Sequence, residues 1–183
     1  MTRIATFLAS DADTASWRVR EIRAIAGDSL PWTPFVAMIS GEAATTAGWR
    51  LRGIASNERY VTRPEKERLV DVQQGLGRSA STLATLIPIR KTAAWWALTQ
   101  DERRQILEVR SRHIATGLRY LPAIARKLFH CRDLGEDEPF DFLTWFEYAP
   151  ADEPAFDDLL AALRATPEWT YVAREVEVRL ERV

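Results

Sequence analysis

The sequence predicts an α+β fold whose second half is a ferredoxin-like (split βαβ) unit, helices on one face of an antiparallel sheet. Three observations lead there. After residue 80 the hydrophobic periodicities run β-α-β-β-α-β. The clearest helical stretch carries its apolar residues on a single stripe, which needs a sheet face to cover it. Hydrophobic residues make up 46% of the 183, enough for a sizeable core and too many for disorder.

The elements follow in order. In the N-terminal part, "RIATFLAS", "PFVAMIS" and "GWRLRGIAS" read as strands and "WRVREIRAIAG" as a short helix. Residues 1–80 thus form a β-rich, reduced ferredoxin-like half and residues 81–183 the C-terminal half, within one compact domain. Two such sheets, back to back or joined as a barrel, fit the length. "RPEKERLVDVQQGLGRSAS" (63–81) connects them, with Pro64 and Gly75 bracketing a short helix. "STLATLIPIRK" is a β-branched, apolar run that reads as a buried strand. In "LTQDERRQILEVRSRHIATGLRYL", Thr99 stands three residues before Glu102, a capping-box spacing. Ile106, Val109, His113, Gly117 and Leu121 would share one helix face, and Pro122 ends the helix. "AIARKLFHC" alternates so that Ile124, Arg126, Leu128 and His130 face one way. "DFLTWFEYA" is its partner strand. "EPAFDDLLAALRAT" is a helix with Phe156, Leu159, Leu160 and Leu163 on one stripe, and "WTYVAREVEVRLERV" closes the chain as a long strand. No repeat is visible in the residues themselves.

Composition narrows the function. Lys plus Arg number 25 against 26 Asp plus Glu, with no basic block, so neither nucleic acid nor an anionic membrane is an expected partner. Cys131 is the single cysteine and there are two histidines, which excludes an internal disulfide, a thiolate zinc cluster and a multi-histidine metal site. A site with one protein ligand survives if a macrocycle supplies the other donors, as in haem. The opening "MTRIATFLASDADTASW" matches neither a signal peptide nor a membrane span, and a cytoplasmic location is the expectation.

Several residues invite two readings. His113 is either a buried histidine bonded to a backbone carbonyl or the ligand of something buried beside it. Gly117, one turn on, either lets a flat ligand approach the helix or marks close helix–sheet packing. Arg126 cannot discharge, so on an inward face it needs a carboxylate, water or an anionic ligand; otherwise it snorkels to solvent. Trp95 and Trp96 either wall a planar cofactor or pack in the core. Lys91 and Tyr60 either meet acidic groups of a ligand or serve as a solvated charge and a loop anchor. Glu168, in "TPEWTY" at the opening of the last strand, reads on its own as a solvent-facing turn residue.

Taken together, "IPIRKTAAWW", "EVRSRHIATGLRYLPAIARKLFH", "DFLTWFEYAPADEPAFDDLLAAL" and "PEWTYV" resemble the chlorite dismutase family in order and spacing as well as residue type. The resemblance covers roughly residues 55–183, and the short length is similar to the dimeric lineage. It implies haem b as cofactor, a dimeric α+β barrel, and a homodimer that decomposes the small molecule chlorite to chloride and molecular oxygen. His113 then matches the proximal iron ligand and Arg126, thirteen residues on, the distal arginine that holds a hypochlorite fragment. Glu168 matches the carboxylate that accepts from the proximal imidazole. Lys91 and Tyr60 align with residues around the haem propionates, and Trp95 with Trp96 matches the tryptophan pair near the haem. Two alternatives stand beside this one. A coproheme decarboxylase shares the fold, but many carry glutamine at the place of Arg126 and have longer chains. A non-catalytic ferredoxin-like module binding haem or another small ligand fits if His113 is structural.

Overall fold

The computed structural model describes residues 4–13, 15–44, 48–55, 59–135 and 137–183; Arg3 and Ser56, at the ends of two predicted strands, lie outside them. Eight antiparallel strands among the described residues close into a barrel. They are β1 (Ile4–Ser10), β2 (Trp17–Ala26), β3 (Phe35–Ser40), β4 (Arg50–Ile54), β5 (Leu83–Lys91), β6 (Ala125–His130), β7 (Phe142–Tyr148) and β8 (Val172–Arg182). Round the ring they stand β1-β3-β2-β8-β5-β7-β6-β4. The first half thus reads β4-β1-β3-β2 and the second β8-β5-β7-β6: the same fourth-first-third-second order twice. The repeat is one of topology, with no matching residues, and the second half carries helices after its first and third strands.

"WRVREIRAIAG", a predicted helix, folds as a strand. It forms β2, paired with β8 from Trp17↔Arg182 to Ala26↔Glu175. Trp17 and Val19 point into the barrel while Arg18 and Arg23 meet Glu181 and Glu177 of β8. A ten-residue amphipathic stretch satisfies either period, and the long complementary strand β8 decides between them.

Period-2 alternation fills both sides of the sheet. Inside the ring, Phe7, Trp17, Phe129 and Trp145 meet edge-on or tilted with ring centres 5.3–5.5 Å apart, so the barrel is a packed core and no pore. Outside the second half lies a separate apolar layer roofed by α5 (Glu153–Arg164), which buries Phe156, Leu159, Leu160 and Leu163 as the stripe predicts. The connector forms α1 (Arg63–Val72), opened by Thr62 and Glu65 in a capping box. The stretch between β5 and β6 holds α2 (Ala93–Ala97), α3 (Gln100–Arg104), a π-helical segment Gln105–Arg110 and α4 (His113–Leu118). Among the described residues, no helix is long and apolar enough to cross a membrane.

Candidate active site

A cavity lies between the outer face of β5, β7 and β6 and the helical roof, a concave, largely apolar place of the kind that takes organic ligands. Ile87 and Phe146 form part of its floor, and Leu159 and Leu163 part of its roof.

The roof carries the histidine. The sequence pattern reads one continuous helix over 98–121, but the chain changes to π-helical winding at Gln105 and Arg112 adopts the left-handed conformation (φ 51°). This break re-phases the helix face. Val109 turns out to solvent, whereas Ile106 is buried and His113 and Gly117 line the cavity. A Cβ built on Gly117 would meet nothing within 4 Å, so this glycine opens space to the cavity and does not serve close packing.

His113 Nδ1 lies 2.7 Å from Glu168 Oε2. Glu168 comes from the 3-10 turn Pro167–Tyr171 that precedes β8, and is almost fully buried. Its second oxygen accepts from Lys91 Nζ at 2.8 Å. Burial alone would raise this carboxyl, but the charges and hydrogen bonds of His113 and Lys91 outweigh it and hold the group down at about 2. Lys91 is itself buried, its ammonium 4.7 Å from the Trp95 ring centre and 5.5 Å from that of Trp169. It therefore stands beside the imidazole–carboxylate pair and also lines the cavity.

The floor carries the arginine. Alternation along β6 sends Arg126, Leu128 and His130 to the cavity and Phe129 into the barrel. Gln73, just past α1, donates from Nε2 to the Arg126 carbonyl at 2.8 Å and pins the strand there. His130 is buried at the cavity edge with Nδ1 lacking a hydrogen-bond partner. Burial, aided by the Arg59 charge, lowers its pKa to about 4.

Tyr60 and Trp95 form one end wall. Tyr60 has φ 63°, held by Arg104, which donates to its carbonyl, while Arg103 Nη1 donates to its hydroxyl at 3.4 Å. Its ring meets Trp95 edge-on at 6.2 Å. Trp95 lines the cavity, fully buried, and its indole N–H has no partner. Trp96 leaves the wall. Its indole stacks on Phe142 at 5.9 Å, lies under the guanidinium of Arg132 at 4.3 Å, and donates to Asp141 at 3.2 Å. One of the two tryptophans thus belongs to the cavity and the other to its outer support. Asp141, which sequence reasoning passed over, also accepts from the Lys91 backbone N–H at 2.6 Å. Nothing in its local sequence marks it, because both donors come from more than forty residues away.

Fold and cavity define a class: an antiparallel barrel roofed on one outer face, where an imidazole–carboxylate pair on the roof faces an arginine on the floor. The chlorite dismutase family model matches residues 39–181. A crystal structure of a dimeric chlorite dismutase from Nitrobacter winogradskyi is 52% identical with a TM-score of 0.90, over 98% of this chain and 99% of that one. The chlorite dismutase of Ideonella dechloratans is 33% identical over 129 residues; this covers 68% of the present chain, which spans about two fifths (41%) of that relative's length. A mutant chlorite dismutase from Candidatus Nitrospira defluvii shares the fold at 18% identity, with a TM-score of 0.63 over 98% of this chain and 90% of that one. The chain belongs to the chlorite dismutase family.

Proposed function

We propose that this protein is a haem b enzyme that converts chlorite to chloride and molecular oxygen, working as a homodimer whose barrel joins two ferredoxin-like halves. The observation that carries the reading is the placement of the His113–Glu168 pair and Arg126 on opposite walls of one cavity. Family membership supports the reaction, and the 52% identical relative, described as dimeric, supports the assembly.

The residues fit a flat, iron-bearing macrocycle. Nδ1 of His113 is engaged by Glu168, which leaves Nε2 for a metal. Gly117 leaves open space on the same wall, and the orphan Trp95 N–H is a buried donor awaiting an acceptor. The remaining walls are largely apolar.

Bound haem supplies a redox-active iron able to take an oxygen atom from an oxyanion. The chain's own residues do the rest. Glu168, ionised and buried, accepts from Nδ1–H; this fixes the tautomer and strengthens Nε2 as a donor. Lys91 balances the carboxylate's charge and holds its far oxygen, so the pair stays rigid without water. From the floor, Arg126 is a permanent cation that would attract an anionic substrate into the cavity and keep a smaller oxyanion from leaving it. Retention would matter because two fragments can recombine only while they stay within contact distance. Apolar walls lower the local dielectric and make that single charge count for more.

The test is reconstitution with ferric haem, followed by the Soret band and by oxygen release from chlorite. His113→Ala is expected to lose or loosen the haem. Arg126→Ala is expected to keep it while kcat/KM falls by roughly 10²–10³, the range for a lost transition-state charge contact. An unchanged Soret band and haem retention in His113→Ala would remove the ligand assignment, and undiminished turnover in Arg126→Ala would remove the arginine's role. Conversion of coproheme to haem b by the wild type, without oxygen release, would assign the protein to the decarboxylase branch. Light scattering is expected to give twice the 20.8 kDa chain mass.

A further inference from the structure

The four residues 108–111 hold both members of the imidazole–carboxylate pair. α4 is a helix of six residues, too short to fix its own direction, and its first N–H groups have no partners within it. It is also cut off from the helix before it, because Arg112 is left-handed. The π-helical winding of Gln105–Arg110 brings the Glu108 side chain forward into this gap. Its carboxylate accepts from Ile114 N–H at 2.7 Å and from Ala115 N–H at 3.3 Å, the two residues that directly follow His113. Three residues on, the buried Ser111 hydroxyl accepts from the backbone N–H of Glu168 at 3.0 Å. One span therefore ties down the helix that carries the imidazole and the turn that carries its carboxylate.

We propose that Glu108 and Ser111 are positioning residues for the His113–Glu168 pair, setting the tilt of the imidazole and the length of its Nδ1–carboxylate hydrogen bond. This rests on the reading of His113 as the iron ligand. The physical reason is leverage. A displacement of a few tenths of an ångström at either backbone lengthens a 2.7 Å contact and swings Nε2 relative to the cavity. A simple helix cap at Glu108 would stabilise α4 without touching the turn at Glu168. The second tie through Ser111, from the same span, distinguishes a bracket from a cap.

The experiment uses full-length, haem-loaded protein carrying Glu108→Gln, Glu108→Ala, Ser111→Ala or Ser111→Thr, with exposed Glu67→Ala as control. Three quantities are read: the iron(II)–histidine stretch by resonance Raman, the rate of haem transfer to apomyoglobin, and Tm. In Glu108→Ala and Ser111→Ala the stretch is expected to shift or broaden and haem transfer to quicken by roughly tenfold or more, the range for lost support of a metal ligand. Glu108→Gln and Ser111→Thr, which keep an acceptor oxygen, are expected to recover most of both. Should Glu108→Ala fail to fold, the Gln, Ser111→Ala and Ser111→Thr variants still decide. A lowered Tm with the stretch and transfer rate unmoved would overturn the proposal and leave Glu108 a cap. A wild type with no iron–histidine stretch would instead remove the ligand reading beneath it, a distinct result.

Discussion

His130 carries a cost that depends on pH. Buried at the end of β6 with an unpartnered Nδ1, it takes up a proton in the folded protein only near pH 4, against about 6.5 when unfolded. Between those values the unfolded chain binds the extra proton, so stability falls as pH drops from about 6.5 through about 4. Replacing His130 with Phe is expected to flatten that part of the profile, as read by urea unfolding at a series of pH values; an unchanged slope would show that another group sets it. Residue by residue, the sequence shows which side chains face the cavity better than it shows what they touch. The strand period alone places Arg126 and His130, and the helix period brings His113 and Gly117 to one face. The partners of Lys91 and Trp96 are Glu168 and Asp141, contributed by segments 77 and 45 residues away. No local period encodes such pairings.

Among the described residues, the seam between β4 and β6 is the thinnest place in the ring, with Ile54 opposite His130 as its paired position. It closes because Gly53 has no side chain: a Cβ there would stand 2.6 Å from the Cβ of Phe129. Gly53→Ala is expected to destabilise the protein by about 1–3 kcal/mol, the usual cost of overpacking, measured by denaturant unfolding. Haem-transfer rate should rise with it, since β6 also carries the arginine wall. A neutral substitution would mean that the seam opens freely. At this scale α5 and the second-half strands were legible, α5 from its single apolar stripe, β5 from its unbroken apolar run and β6 from its alternation. β2 and the broken helix at 98–121 were not. The first is settled by pairing with a strand 150 residues on, and the second by a π segment and a left-handed residue that hydrophobic periodicity does not register.

Under α5, β8 presents Glu175, Glu177 and Arg179 outward, all buried, while Val176, Val178 and Leu180 fill the barrel. Glu177 accepts from Arg23 of β2, Arg164 of α5 and Arg179 of its own strand at 2.5–2.6 Å. This one carboxylate joins both half-sheets and the roof. Burial would raise its pKa, but the three guanidinium hydrogen bonds hold it at about 2. Its contribution is complete above about pH 4.5 and lost as pH falls through about 2, a second acid window below that of His130. Glu177→Gln is expected to cost about 3–5 kcal/mol near neutral pH, as when one partner of a buried ion pair is removed, and calorimetry at pH 7 would measure it. The closed ring also divides mechanical duty. On its β7 side β6 is paired along its whole length, Ala125↔Glu147 to His130↔Phe142, so the arginine wall acts as an anvil. Compliance is left to the roof, which hangs from short helical pieces. Hydrogen exchange is therefore expected to be slower in 125–130 than in 105–118, where the His113–Glu168 pair keeps its place only through the ties from Glu108 and Ser111.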